Sequence, residues 1–387
     1  MIHCNATGLV YSNPRPHLKA IHAWHPSVVE LENDALLCAF DLGEAAESLD
    51  YRTYFATSSN GGGEWSPPRR LLEESLPRAT THTIRISRMR DGTLVGLGAR
   101  FYRDDPEVGL TNRETLGFVP MDLILLTSSD SGRTWSEPTN IQAPLVGPAF
   151  EVCHAIVELA DGRWLTPTQT WPDWNGHGPS GMKAIALVSR DHGRTWPEYL
   201  TVFDGNDRGI IHFEQSITQL TDERLLAVAW AYDRETRTTR PTPYAISGDG
   251  QTFSVPGSTQ LYGQTAKLLA LDDNRFVCVY RRDDKPGLWM QLARIEGDKW
   301  INLEEALLWQ GVADSSHVGT SISDELSSLR FGFPSLIRLK SGEVMVVFWC
   351  EEKGTHNIRW FNLSIDAATV PRPHLFDRAA AKQIGSR

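Results

Sequence analysis

The sequence predicts an all-β protein, a six-bladed β-propeller of four-stranded antiparallel blades. Three observations point there. A turn motif recurs along the chain. A longer strand–turn–strand unit recurs six times. Thirteen tryptophans and 31 glycines supply the aromatic anchors and tight turns of such a fold.

The turn motif runs Ser128-Ser-Asp130-Ser-Gly132-Arg-Thr134-Trp135 and again Ser189-Arg-Asp191-His-Gly193-Arg-Thr195-Trp196. A degraded copy spans Ser58 to Trp65, with Asn60 in the acidic position. A shortened copy spans Ser247 to Phe253 around Asp249 and Gly250. In such a turn the Asp or Asn side chain accepts from backbone N–H groups, Gly takes the φ > 0 position and the aromatic ring packs between sheets. Asp130, Asp191 and Asp249 therefore read as turn formers rather than catalysts.

The longer unit opens near His25, His82, His154, Glu214, Thr265 and Phe333, each followed by an apolar strand. Its turns fall at Asn33-Asp34, Asp91-Gly92, Asp161-Gly162, Asp222-Glu223, Asp273-Asn274 and Ser341-Gly342. Six copies at roughly sixty-residue spacing, each with two further short strands, give six blades. Gly8–Tyr11 is expected to pair with 358–365 of the last blade and close the ring, which removes open sheet edges. One propeller domain over about 8–366 follows, with 367–387 as a tail. Only 301–308 and that tail carry a helical pattern.

The bulk properties narrow the function. At 41% hydrophobic and 22% charged, the composition is that of a soluble globular protein. A net charge of −10 argues against nucleic acid as partner but leaves room for a local cluster of arginines. No basic flank followed by an apolar core reads as a signal peptide, and no apolar run approaches the ~18 residues of a membrane helix. The five cysteines lack metal-ligand spacing, so free thiols and a cytoplasmic location are expected. No cofactor and no resident metal are expected, although three rim histidines with Glu214 could reach one metal across blades.

Aligning the six hairpins puts equivalent positions at one face. The starts of the first strands bring Trp24, His25, His82, Glu151, His154, His212, Glu214 and Arg330 to a common rim. The ends of the second strands add Asp41, Arg100, Trp171, Trp230, Tyr232, Arg281 and Arg282. A cup lined by aromatic rings and planar polar groups suits sugar recognition, with an oligosaccharide or glycoside as partner.

The turn motif is the Asp box. With the strand openings it resembles the sialidase (neuraminidase) superfamily of exo-glycosidases over nearly the whole chain. The resemblance implies three arginines gripping the substrate carboxylate, a Tyr nucleophile activated by a Glu, and an Asp acid/base. Residue by residue the match is partial. The family's Arg-Ile-Pro meets Trp24-His25-Pro26. Its Asp-x-Arg meets Asp41-Leu42-Gly43, which keeps the Asp and loses the Arg. Asp50 lies close to the acid/base position. Phe213-Glu214-Gln215 matches the opening that carries the activating Glu. A further expected arginine meets Ala229-Trp230, and the nucleophile's Gly-Tyr-Ser meets Gly332-Phe333-Pro334. A phenyl ring cannot attack an anomeric carbon, so ordinary retaining sialidase chemistry is not expected.

Three functions stay open. The first is an exo-acting glycosidase for a terminal, acidic sugar. It would use Glu214 with Asp50 or Asp41, and Arg85, Arg100, Arg281 or Arg282 to hold an acidic group. The second is a lyase acting on a uronic acid by β-elimination, with His25, His82, His154 or His212 as base. The third is a non-catalytic sugar-binding propeller.

Overall fold

The computed structural model describes residues 1–282, 285–311 and 329–366. Six antiparallel sheets follow one another in chain order. Blade 1 contains His22–Glu30, Leu36–Gly43, Arg52–Ser58 and Arg69–Arg70. Blade 2 contains Thr80–Arg88, Leu94–Tyr102, Met121–Ser128 and Thr139–Asn140. In blade 3 the inner strand is broken into Ala149–Phe150 and Val157–Glu158, beside Trp164–Trp171, Lys183–Ser189 and Glu198–Asp204. Blade 4 contains Ile210–Gln219, Leu225–Asp233, Pro243–Ser247 and Gly257–Ser258, and blade 5 contains Gly263–Ala270, Arg275–Arg282, Leu288–Glu296 and Lys299–Trp309. Blade 6 joins Phe331–Arg338, Val344–Glu352 and Thr355–Ile365 to the N-terminal strand Ile2–Tyr11. Gly8 faces Trp360 and Tyr11 faces Ile358, so the ring closes as the sequence predicts, over a longer stretch.

The expected helix at 301–308 is a strand, the outer strand of blade 5. Ile301, Leu303 and Leu307 fall on alternate positions, so their spacing fits period two as well as a helical turn. Pairing with the preceding strand decides between them. The tail from 367 onward lies outside the described residues. Among the described residues the one helical segment is a 3-10 turn at Asn206–Arg208.

The six inner hairpins close alike. In each, the residue before the turn donates its N–H to the carbonyl four positions on: Leu31 to Ala35, Met89 to Thr93, Leu159 to Arg163, Leu220 to Arg224, Leu271 to Arg275 and Leu339 to Glu343. A positive φ falls at Asp34, Gly92, Gly162, Glu223, Asp273 and Gly342, at the turns read from sequence.

Apolar burial is divided among the interfaces between neighbouring blades, with one cluster at each of the six. A middle strand therefore packs on both faces, and Leu36–Gly43 and Trp164–Trp171 are buried throughout. The Asp boxes brace these interfaces from outside. Asp130 accepts from the Thr134 N–H at 2.9 Å and from its hydroxyl at 2.6 Å, and Gly132 donates to Ser128 Oγ at 3.0 Å. Asp191 and Ser189 repeat the pattern. A Cβ on Gly132 would sit 2.4 Å from Leu37 of the preceding blade, so only glycine allows that approach.

Candidate active site

Strand register sets the rim. Trp24 pairs with Asp41, His82 with Arg100, Phe213 with Trp230, Gln264 with Arg281 and Gly332 with Trp349, all at one end of their blades. In four blades the inner strand bulges at that end. The bulges place His25, Glu214, Thr265 and Phe333 at φ +46°, +48°, +54° and +50°. Such a conformation is costly for a bulky side chain, and here it re-aims each one toward the propeller axis. His25 and Phe333 each precede a proline, which restricts their backbones further.

Phe333 sits at the middle of the floor. Its ring lies 4.8 Å from the His25 ring, 4.9 Å from the Arg85 guanidinium and 5.1 Å from Lys267 Nζ. The phenyl ring is held by cation–π contact with both cations.

Blades 1 and 2 build one wall around Asp41, which is fully buried. Its carboxylate accepts from the Thr53 hydroxyl at 2.6 Å, the Thr83 hydroxyl at 2.7 Å, the Tyr51 hydroxyl at 3.0 Å and Arg85 NH1 at 3.1 Å. Burial alone would raise its pKa. The Arg85 charge and the neighbouring hydrogen bonds outweigh burial and hold it at about 2. Tyr51 O also lies 2.6 Å from His25 Nδ1. Because the Tyr51 proton goes to Asp41, His25 Nδ1 must carry the proton of the second bond. That assignment, made from the network, leaves a lone pair on Nε2. Burial lowers the His25 pKa, so the ring is neutral near pH 7, and its side chain keeps 31% exposure.

Blades 3 and 4 build the opposite wall from Glu151 and Glu214. The Glu214 N–H donates to Glu151 Oε2 at 2.9 Å, and Lys267 Nζ donates to the Glu214 carbonyl at 3.1 Å. Glu214 Oε2 is buried with no hydrogen-bond partner. Both carboxyls are raised. Burial and the charge of Glu214 bring Glu151 to about 7, and burial raises Glu214 against the pull of Lys267 and Arg281. Each carboxyl therefore holds its proton to higher pH than an exposed glutamate does.

The other sequence-derived positions are placed as follows. Asp50 turns outward and caps a surface loop, accepting from the Glu44 N–H at 3.0 Å and from Ser48 Oγ. His82 is buried, and burial takes its pKa to about 3. His154 bonds the Ala155 carbonyl and Ser216 Oγ, and burial lowers it to about 4. His212 stacks on Phe203 between blades, with rings 5.2 Å apart. Of the four histidines, His25 touches Phe333 and Tyr51, while His154 lines the axial channel on the side of Lys267.

The arginines are engaged. Arg100 grips Glu74, Arg282 grips Glu305 and Arg330 pairs with Glu351. Arg281 bonds Gln264 and the Phe331 carbonyl. Trp24 packs on Tyr51 and His356. Trp171, Trp230 and Tyr232 surround Phe213 on the side of blades 3 and 4. Among the described residues, no three His, Cys, Asp or Glu side chains cluster as a metal site would require.

Sequence reading overlooked Tyr51 and Lys267. Tyr51 stands one residue after Asp50, where a one-position slip in alignment hides it. Lys267 shares a repeat column with Ser27, Ser216 and Ser335, so a lone lysine among serines was the available signal.

This fold and residue pattern define a sialidase-like propeller. The chain belongs to the BNR repeat-like domain family, whose family model matches residues 34–346. It is similar in fold to a protein of unknown function from Dyadobacter fermentans DSM 18053. That match has a TM-score of 0.72 and 20% identity, and covers 94% of this chain and 99% of that one. It is also similar to the NanB sialidase from Streptococcus pneumoniae as its K499G mutant, with a TM-score of 0.64, 11% identity and coverage of 93% and 71%. The intramolecular trans-sialidase from Ruminococcus gnavus matches with a TM-score of 0.63, 12% identity and coverage of 89% and 95%. No curated protein matches the sequence.

Proposed function

We propose that this protein is a glycoside hydrolase that removes a terminal sugar from a short glycoside. The observation that carries the reading is the partly buried Glu151–Glu214 pair, both carboxyls raised and Glu151 to about 7, joined through Lys267 to the Phe333 ring that His25 also touches. Hydrolysis needs an acid for the leaving oxygen and a base or nucleophile on the other side of the bond. The carboxyl pair supplies the acid. His25 supplies the base through Nε2 and draws a proton from water. Tyr51 and Asp41 hold its ring and tautomer. With a phenylalanine at 333 and the Tyr51 hydroxyl committed to Asp41 and His25, the reading takes water, activated by His25, as the attacking group, and the anomeric configuration then inverts. Among the described residues Arg100, Arg281, Arg282 and Arg330 are engaged by protein groups, which favours neutral over acidic terminal sugars.

One observation favours a second reading. A neutral histidine bonded to a tyrosine also suits proton abstraction beside a uronate carboxylate, as in β-elimination.

A panel of aryl glycosides and uronic-acid disaccharides separates these readings. Reducing sugar released by the wild type, lost in Glu214→Gln, with inverted anomer by proton NMR, supports hydrolysis. A conjugated, ultraviolet-absorbing product supports elimination. Retained configuration overturns direct attack by water, and silence across the panel favours a binding role.

A further inference from the structure

The inner strands of blades 1, 2, 4, 5 and 6 place Ser27, Arg85, Ser216, Lys267 and Ser335 in one register column. Two of the serines brace the following blade. Ser27 Oγ accepts from the Ile86 N–H and Ser216 Oγ from the Leu268 N–H, both at 3.0 Å. The two cations turn the other way. Arg85 of blade 2 reaches back to Asp41 of blade 1, and Lys267 of blade 5 reaches back to Glu214 of blade 4.

The two contacts are not equivalent. Arg85 meets a carboxylate. Lys267, at 5% exposure, meets the Glu214 carbonyl and the Phe333 ring, and among the described residues no carboxylate forms an ion pair with it. The Glu214 carbonyl has its own need of a donor. The bulge takes Glu214 out of the ladder, which resumes at Ser216, and leaves it at φ +48°. Its N–H goes to Glu151 Oε2 and its carbonyl to Lys267, so two side chains do what the sheet does elsewhere. A buried cation is costly without an opposite charge, and the pull of Lys267 opposes burial at both Glu151 and Glu214. Arg281 also pulls on Glu214, while it is bonded to Gln264 and the Phe331 carbonyl. Cys153 and His154 of blade 3 are uncharged near neutrality, since burial raises the thiol and lowers the imidazole to about 4.

We propose that Lys267 is a positioning residue for the Glu151–Glu214 wall: it clamps the Glu214 carbonyl at the bulge, and its charge sets the pH at which the two carboxyls release their protons. The clamp fixes the strained backbone that aims the Glu214 side chain at the axis. The consequence for catalysis rests on the hydrolase reading, whereas the clamp and its charge do not.

The test is a pH titration of the infrared band of protonated carboxyls in the full chain, assigned by its loss in Glu151→Gln and Glu214→Gln. Lys267→Met removes donor and charge at similar length. It should move the midpoint up by about 1–3 pH units, the usual effect of losing a nearby opposite charge. Lys267→Arg keeps the charge and should hold the midpoint near its wild-type value. An unmoved midpoint in Lys267→Met overturns the proposal, whatever the activity. With a glycoside that the wild type cleaves, the basic limb of kcat should rise with the band in Lys267→Met and stay in Lys267→Arg. Lost activity with that limb fixed would mean a structural role alone and also overturn the proposal. A shifted band in a protein that cleaves nothing would instead sink the hydrolase reading and leave the clamp standing. Should Lys267→Met not fold, Lys267→Gln serves, with the same upward shift expected and an unmoved midpoint counting against the proposal.

Discussion

On the wall built by blades 1 and 2, Asp41 accepts from three hydroxyls and a guanidinium, and its pKa falls to about 2. On the wall built by blades 3 and 4, Glu214 leaves a buried oxygen without a partner, and both it and Glu151 are raised. Asp41 is fully buried while Glu151 and Glu214 keep part of their surface, yet the pair is the side that is raised, so the partners make the difference. A saturated carboxylate is locked as an anion and can orient its neighbours. An under-satisfied pair keeps a proton that it can give away.

The comparison makes its largest prediction at the under-satisfied wall. Glu214→Gln or Glu151→Gln should lower kcat by about 10²–10⁴-fold, the usual worth of a general acid. The same change should stabilise the fold at neutral pH. A carboxyl raised in the folded state adds stability that is fully present below its unfolded value, near 4.5, and is lost as pH rises through about 7. Wild-type stability should therefore fall by ~2–3 kcal/mol across that window, and the glutamine variants should flatten the loss. Urea melts from pH 4.5 to 8 read this directly. A variant that loses activity and shows the wild-type pH slope would mean that the pair is not the proton store.

At the saturated wall the order reverses, with stability suffering first. Asp41→Asn leaves Arg85 as a buried cation without its counter-ion, which should cost about 3–5 kcal/mol in chemical denaturation. A cost below ~1 kcal/mol would show that the wall is not held electrostatically.

Tyr51→Phe is gentler and more diagnostic. It removes the link between His25 and Asp41, and kcat/KM should fall by about 10–10²-fold. The acid limb of the pH profile should move upward, because His25 Nδ1 already lies 3.7 Å from Asp41 and a direct ion pair raises a histidine pKa. A structural role alone would lower activity without moving that limb.

Much of the fold was legible because its signals are local. The Asp box needs only a capping side chain, a glycine and an aromatic ring within a few residues, and the inner turns need only a residue that tolerates positive φ. The strand at 299–309 was misread because Ile301, Leu303 and Leu307 satisfy two periods until a neighbouring strand selects one. The site was less legible because it is assembled across blades. The column of His25, Glu214 and Phe333 came from repeat alignment, but Tyr51 enters from a loop, outside any repeat. Nor could sequence tell that His82 and His212 are buried, that His154 lines the axial channel bonded to Ser216, and that His25 meets Phe333 and Tyr51. The inner strand bulges at His25 and runs unbroken through His82, and such a bulge leaves no local signature.

The smallest effect should come from the carboxylates with the strongest motif. Asp130 is also held at about 2, but by the Thr134 hydroxyl and N–H of its own turn, at the surface. Asp130→Ala breaks a turn that the neighbouring Gly132 and Trp135 still shape, so the thermal midpoint should drop only slightly and kcat and KM should stay at wild-type values. Asp130 and Asp41 thus share a pKa and differ in what depends on it. Around Asp130 the dependent groups are one turn's own backbone, and around Asp41 they are the charge on Arg85 and the tautomer of His25. Loss of activity in Asp130→Ala would mean that the outer turns hold the cup's geometry through the blade interfaces, and the separation between bracing and chemistry would fail.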